Sequence, residues 1–463
     1  MGQTTLDTFF KPASIAVVGA SPTPGKGGNA LIRNIKQGFP GPIYPVNPNH
    51  REVENLRCFP TVSHIDNPVD LAILFIPAPR VPEALRDCSA HGVRSVIIES
   101  GGFAETGDSG RALQNECRSI GQETGIRIWG PNCMGLVDGR RNLALSFLSP
   151  EIWGDSLTPG DVSLIVQSGM VSAGFLVDLM SHGVMGVSKV CSIGNKMDVD
   201  ECELLDYLIG DPETAAIALY LEGITQGRAL LDTARHSPKP IVVLKGGTSP
   251  QGARAAMSHT ASLAGDDRIV RGALTQAGIV PANGFKQMMD IARALAMVPE
   301  GIGDGRIAVL TFTGAAGILS ADFLFCHGMD LADLTPDSRR RLEKLFPSWM
   351  PVANPIDLWP AIEIVGAAEA YRQAVETVMD DPGVDVLLLH AFAGGSRFSL
   401  DLDRLAILSR SKKKPIFFYL LGRQDEAMDF QRQAQRLGMP VYREISRAVE
   451  AIHAVYAYGK KRN

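Results

Sequence analysis

The chain has few cysteines, no long apolar run and no excess of positive charge. Its seven cysteines, at positions 58, 88, 117, 133, 191, 202 and 326, are scattered without a Cys-x-x-Cys pair. That spacing argues against a zinc site or a disulfide framework and fits a reducing cytoplasm. No apolar run approaches the ~20 residues that a membrane-spanning helix needs. Met1 to Lys11 lacks the basic start and apolar core of a secretory signal. A net charge of −5 leaves no basic footprint, so nucleic acid is a poor candidate partner. Three glycine motifs are also missing: G-x-G-x-x-G, G-x-x-x-x-G-K-[ST] and G-x-S-x-G. Their absence argues against a dinucleotide fingerprint, a P-loop and a hydrolase elbow, respectively.

What is present is an ordinary globular composition, 45% hydrophobic and 21% charged, over 463 residues. That length has room for about three domains. In the first third, apolar runs at 14–20, 43–48, 70–77, 93–99 and 127–132 predict strands. Helical patterns lie between them, one of them over 108–124. The alternation predicts an α/β fold with a doubly wound parallel sheet. Ligands of such sheets sit at the carboxyl ends of the strands. Those ends carry Gly19 and Ser21, Val46 and Asn47, Ile76 and Pro77, Glu99, and Asn132 and Cys133. Lys26 and Gly27 follow in the first glycine-rich turn. Asn47 stands where an acidic residue would hold the ribose hydroxyls of a nicotinamide dinucleotide. Without that carboxylate a ligand with a phosphate near its ribose is tolerated, and coenzyme A is such a ligand.

The middle third starts again after a polar connector, with a strand over 161–166. The turn Gln167-Ser168-Gly169-Met170 then opens a helix, whose free N–H groups are ready for an anion. The strand pattern 214–222 ends in a carboxylate, Glu222. A further strand over 240–244 leads into Lys245–Gly265, a Gly-, Ala- and Ser-rich stretch predicted to be an open loop. His259 stands in it between Ser258 and Thr260. It is either a nucleophilic, phosphate-carrying histidine or a surface histidine on a small-residue loop. His91, His182 and His327 each precede a glycine at a predicted helix end and read as C-caps. The last third repeats the middle one: Val162–Val184 aligns without a gap on Ile307–Met329. Val298–Gly305, rich in glycine, is the expected linker.

Several short motifs occur together and in order. They are Val18-Gly-Ala-Ser21, Tyr44-Pro-Val-Asn-Pro48, Glu99-Ser-Gly-Gly-Phe103, Gly130-Pro-Asn-Cys-Met-Gly135, Gln167-Ser-Gly169, Gly194-Asn-Lys196, Tyr220-Leu-Glu-Gly223, Ser258-His-Thr260 with Leu263-Ala-Gly265, and Asn354-Pro-Ile-Asp-Leu358. With them the chain resembles the CoA-binding subunit of nucleoside-diphosphate-forming acyl-CoA synthetases. These are the succinyl-CoA synthetase relatives, and the resemblance is nearest to the ADP-forming acetyl-CoA synthetase branch. It implies a Rossmann-like CoA-binding domain over 1–148. A flavodoxin-like, succinyl-CoA ligase-like domain over 149–298 would carry the phosphohistidine loop, and a second would span 299–463. It implies an acid–thiol ligase in which phosphate passes from acyl phosphate to a histidine and on to a nucleoside diphosphate. His259 matches that histidine, Glu222 the carboxylate that orients it, and Gln167, Ser168, Gly169 and Met170 the phosphate-holding helix start. CoA would lie along the strand ends of the first domain, contacting Gly19, Ser21, Lys26, Gly27, Val46, Asn47, Ile76, Pro77, Glu99 and Asn132, with its thiol near Cys133. ADP or ATP and Mg would sit on a separate ATP-grasp β subunit, in an α2β2 assembly. No metal site is implied here. The family usually has Gly where Ala261 stands, and the turn Thr313–Gly317 lacks an expected Asn. The unit from Arg306 onward disfavours a succinyl-specific role. A non-catalytic CoA or acyl-CoA sensor and a nicotinamide-dependent dehydrogenase stay open as alternatives.

Overall fold

The structure is a computed structural model that describes residues 6–153, 157–169, 174, 177–178, 185–260, 266–395 and 399–462. Side chains are described for all of these except 153, 256–260 and 462. The chain divides into two compact units, Met1–Ser181 with Gly186–Phe285, and His182–Met185 with Lys286–Asn463.

The first unit holds two sheets. The first comprises β1 (Ile15–Val18) and β2 (Ile43–Val46), a small hairpin of β3 (Glu52–Val53) and β4 (Leu56–Arg57) set apart from it, then β5 (Leu71–Leu74), β6 (Ser95–Ile98) and β7 (Arg127–Trp129). Its order is β2-β1-β5-β6-β7, all parallel. Every residue of β5 and β6 is buried, so the strands read as continuous apolar runs covered on both faces by helices. The helix Gly27–Gly38 turns Leu31, Ile32 and Ile35 inward at helical spacing.

The second sheet gathers β8 (Gly135–Asp138), β9 (Leu143–Leu145), β10 (Val162–Val166), β11 (Lys189–Ser192), β12 (Ala216–Leu221), β13 (Ile241–Lys245) and β14 (Val280–Ala282) in the order β14-β13-β12-β10-β11-β8-β9. β8 and β9 are strands that the periodicity did not predict. They lie in sequence behind the first sheet, yet β8 pairs antiparallel with β11. Asp138 accepts the N–H groups of Arg140 and Arg141, both at 3.0 Å, and so makes the turn that joins them. The two sheets share one apolar core. Phe9 and Phe10 pack on Trp129, Phe10 stacks on Tyr207 at 4.3 Å, and Trp129 Nε1 donates to the Ser192 carbonyl at 2.6 Å.

The second unit is a five-stranded parallel sheet of β15 (Ile307–Thr311), β16 (Ile356–Asp357), β17 (Val386–Ala393), β18 (Ile416–Gly422) and β19 (Val441–Tyr442), ordered β16-β15-β17-β18-β19. Counted within each sheet, all three parallel cores run 2-1-3-4-5, the flavodoxin order. The repeat read from Val162 and Ile307 thus reappears as two sheets that begin at β10 and β15.

Candidate functional site

A cavity of about 460 Å³ opens at the carboxyl ends of β1, β2 and β5. That volume suits one end of a cofactor-sized ligand. Gly19, Ser21, Lys26, Val46, Asn47, Ile76 and Pro77 line it, seven of the residues expected there. Gly19 has φ +97°, and a Cβ would overlap the Phe75 carbonyl, so the turn requires glycine. Gly27 backs onto the Phe75 ring. Lys26 stands at the N-cap of the helix Gly27–Gly38, which no side chain caps, leaving that terminus polarised toward an anion. Asn47 is occupied in holding the turn: its Nδ2 donates to the Ala20 carbonyl at 2.8 Å and its Oδ1 accepts from Asn49 N–H at 3.0 Å. Arg80, which is not among the residues expected there, also lines the cavity. Arg80 follows β5 in the short 3-10 turn Ala78–Arg80, and its place one turn after Ile76-Pro77 was the available signal.

Glu99, Asn132 and Cys133 do not line this cavity. Glu99 is buried, and its Oε2 accepts from Phe147 N–H at 3.1 Å. Burial raises its pKa well above the carboxylate range, and that one hydrogen bond only partly opposes the shift. The buried Cys133 thiol donates to the Ile98 carbonyl at 3.4 Å. Burial, and then the charge of Glu99, push its pKa far above the usual thiol value, so it is no nucleophile. Asn132, at φ +58°, donates to Asn195 Oδ1 at 3.4 Å.

A second cluster forms where β10, β11 and β12 end. Gln167 is buried, and its Oε1 accepts from the N–H groups of Glu222 (2.8 Å) and Gly223 (3.1 Å). Its side-chain oxygen therefore fixes the strand end instead of facing an anion. Gly169 is the first helical residue, and a Cβ on it would stand 3.4 Å from Met134 N and 3.7 Å from the Cys133 carbonyl carbon. The anion-type turn of the second sheet thus touches the backbone that follows the last strand of the first. Met170, His182 and Ala261 lie outside the described residues. Glu222 is buried, and Tyr220 donates to its Oε1 at 3.3 Å. Burial, then the charge of Glu222, push the Tyr220 phenol up to about 12, so it stays a donor. Two lysines converge beneath. Lys196 Nζ donates to the Gly223 carbonyl at 2.8 Å, and Lys245 Nζ to the Glu222 carbonyl at 2.7 Å. Neither was singled out for the site, although both stand in quoted motifs. Burial lowers the pKa of Lys245 while the Glu222 carboxylate opposes the shift.

The stretch expected to be an open loop is helical from Pro250 to Thr260. The reason is local chemistry that the sequence already carried. Ser249 Oγ accepts from Gly252 N–H at 3.0 Å, Pro250 occupies the first helical position, and alanines follow. His259 sits near the end of this helix, and its side chain lies outside the described residues. The helix packs against the turn Ala104–Thr106 of the first sheet. No group of three or more His, Cys, Asp or Glu side chains among the described residues could hold a metal ion. No helix of the described residues is long and apolar enough to cross a membrane.

Residues 13–138 match the CoA binding domain family, and residues 159–295 match the succinyl-CoA ligase-like flavodoxin domain family. The chain is 37% identical to the α subunit of acetate–CoA ligase [ADP-forming] II of Pyrococcus furiosus over 386 residues, covering 83% of this chain and 81% of that one. It is also 37% identical over 463 residues to acetate–CoA ligase [ADP-forming] II of Archaeoglobus fulgidus, covering 99% of this chain and 67% of that protein. The chain therefore spans about two thirds of the length of the Archaeoglobus protein. Among solved structures, acetyl-coenzyme A synthetase 1 of Ca. Korarchaeum cryptofilum in complex with phosphate and ADP superimposes with a TM-score of 0.85 at 32% identity, covering 99% of this chain and 97% of that one.

Proposed function

The chain belongs to the α subunits of the ADP-forming acetate–CoA ligases, and on that premise we propose that it interconverts acyl-CoA, ADP and phosphate with acid, CoA and ATP through a phosphohistidine at His259. The observation that carries this reading is the meeting of the Ser168–Gly169 helix start with the Cys133–Met134 backbone, beside the strand end that bears Glu222. A phosphate at that helix start attacks the thioester carbonyl. The C–S bond breaks, and the proton of the phosphate goes to the departing thiol. A ring nitrogen of His259 then attacks phosphorus, the N–P bond forms, and the P–O bond to the acyl group breaks as the acid leaves as carboxylate. The other ring N–H stays on the imidazole and is donated to Glu222. ADP then takes the phosphoryl group and the N–P bond breaks. CoA is held by the cavity at Gly19, Ser21 and Lys26, with Arg80 as a second cation.

The relatives named as α subunits imply a β partner. We propose that this partner is an ATP-grasp subunit that carries ADP and Mg in an α2β2 assembly. That reading is supported by the third of the Archaeoglobus protein that this chain leaves unmatched. The proposed division remains 1–148, 149–298 and 299–463, with β8 and β9 of the first segment lent to the second sheet. Seven free thiols support a reducing compartment, the cytoplasm.

The test is direct. Purified chain incubated with acetyl-CoA and radiolabelled phosphate should gain an acid-labile label that His259→Ala abolishes. Label retained in that variant would mean that another residue carries the phosphate. CoA binding without any label in the wild type would mark a sensor.

A further inference from the structure

A run of polar contacts at the seam of the two sheets in the first unit has no part in the steps above. Glu105 sits in the turn Ala104–Thr106, against which the helix Pro250–Thr260 packs. Its Oε1 accepts from the N–H groups of Gly102 (2.6 Å) and Phe103 (3.0 Å), and its Oε2 from Asn195 Nδ2 at 2.6 Å. Asn195 Nδ2 donates also to Gln114 Oε1 at 2.9 Å, and Gln114 Oε1 accepts from Ala104 N–H at 3.3 Å. The turn under the histidine helix is thus held from both sides through one asparagine. Burial would raise the Glu105 pKa, but the donors from Asn195 and the backbone outweigh it, so the carboxylate stays charged and the contact is charge-assisted.

The residue next to Asn195 is Lys196, whose Nζ reaches the Gly223 carbonyl. The N–H groups of Glu222 and Gly223 are held in turn by Gln167. Backbone geometry keeps this dipeptide in place. Gly194 is at φ +54°, where a Cβ would overlap the Pro131 carbonyl, and Lys196 is at φ +53°. One face of Asn195–Lys196 therefore fixes the seat of the histidine helix, and the other fixes the strand end that bears Glu222. A shift of the one against the other would separate the two groups that must meet.

We propose that Glu105 and Asn195 are positioning residues for phosphoryl transfer, which lock the seat of the histidine helix in register with the Glu222 strand end. The inference rests on the phosphohistidine reading above. A misplacement of about 1 Å costs on the order of 10²-fold in such a step. Asn195→Asp sets a carboxylate against Glu105 and breaks the lock. Adding Glu105→Gln restores an amide–carboxylate pair with the roles exchanged. The amide nitrogen now at position 105 donates to the carboxylate now at position 195, while the amide oxygen still accepts from Gly102 and Phe103.

The experiment measures single-turnover labelling from acetyl-CoA and radiolabelled phosphate in the wild type, N195D, E105Q and the double variant. CoA affinity by calorimetry and melting temperature are measured alongside. The expected result is labelling slowed by about 10²-fold in N195D, CoA affinity within about twofold of wild type, and recovery of at least tenfold in the double variant. If N195D fails to fold, E105Q alone should show the slowed labelling and the double variant the recovery. A folded N195D or E105Q that labels at the wild-type rate overturns the proposal, as does a double variant no faster than N195D. Absence of any His259-dependent label in the wild type would instead overturn the phosphohistidine reading, and this inference with it.

Discussion

Lys196→Met should strongly destabilise the first unit. Only 7% of the Lys196 side chain is exposed, and none of Glu201. Its ammonium lies 3.0 Å from one Glu201 oxygen and donates to the other at 3.1 Å and to the Gly223 carbonyl at 2.8 Å. Methionine keeps most of the volume and removes the charge. The Glu201 carboxylate is then buried without its partner, which costs about 3–5 kcal/mol. The Gly223 carbonyl loses a donor, which adds about 1 kcal/mol. Removing both charges together should cost far less, because a buried pair replaced by apolar residues of similar size is often close to neutral. At about 2–4 °C per kcal/mol, these costs together place the Lys196→Met melting temperature about 8–24 °C below wild type, with Lys196→Met/Glu201→Leu recovering most of the loss. Calorimetric melting of the wild type, both single variants and the double variant gives the full cycle. A Lys196→Met protein melting within about 2 °C of wild type would refute the reasoning. So would a double variant that melts as low as Lys196→Met.

Four further outcomes are expected. Glu222→Gln keeps the shape of the strand end but removes the charge that stabilises the imidazolium-like state, so single-turnover labelling should slow by about 10²-fold or more; a near-normal rate would remove Glu222 from the site. Dephospho-CoA should bind more weakly than CoA and NAD should not compete, while Arg80→Ala should weaken CoA by about tenfold in calorimetry; equal affinity for CoA and NAD would overturn the assignment of the cavity. Gly19→Ala should abolish CoA binding, because φ +97° and the Phe75 carbonyl leave no room for a methyl group; calorimetry on the folded variant checks it. In the second unit, buried His390 is bound to Thr311 and Ser320, and burial lowers its pKa to about 3. The unfolded chain takes up that proton near pH 6.5, so stability should fall as pH drops from about 6.5 toward 3. The loss should be about 2 kcal/mol between about pH 7.5 and 5. His390→Asn should remove that part of the pH dependence, as followed by urea unfolding at the two pH values.

The strands and most helices were legible in the sequence because their signals are local. Runs such as Leu71–Leu74 and Ser95–Ile98 are apolar at every position but one, which only a strand covered on both faces requires. The helix Asp108–Thr124 carries its own stop in Gly125, left-handed at φ +77°. The repeat of Val162 on Ile307 was equally plain, and so were seven of the residues that line the cavity, because strand ends of a parallel sheet converge by topology. The helix Pro250–Thr260 was legible too, through Ser249 and Pro250, but its small residues resemble a phosphate-cradling loop and drew the opposite reading. Other features had no local signal. β8 and β9 are strands only because the edge of β11 offers them partners. Glu99 and Cys133 are at strand ends as expected, yet burial turns them away from the cavity. The seam joins Glu105 to Asn195 and Lys196 and these to Gly223, across long stretches of chain; the last three stand in quoted motifs, but nothing in those motifs says which residues they meet. Residue types and periodicity determined which elements form and which chemistry is available. Only tertiary packing decided which side chains line the cavity and which hold the two sheets in register, because burial and partner distance are properties of the assembled fold.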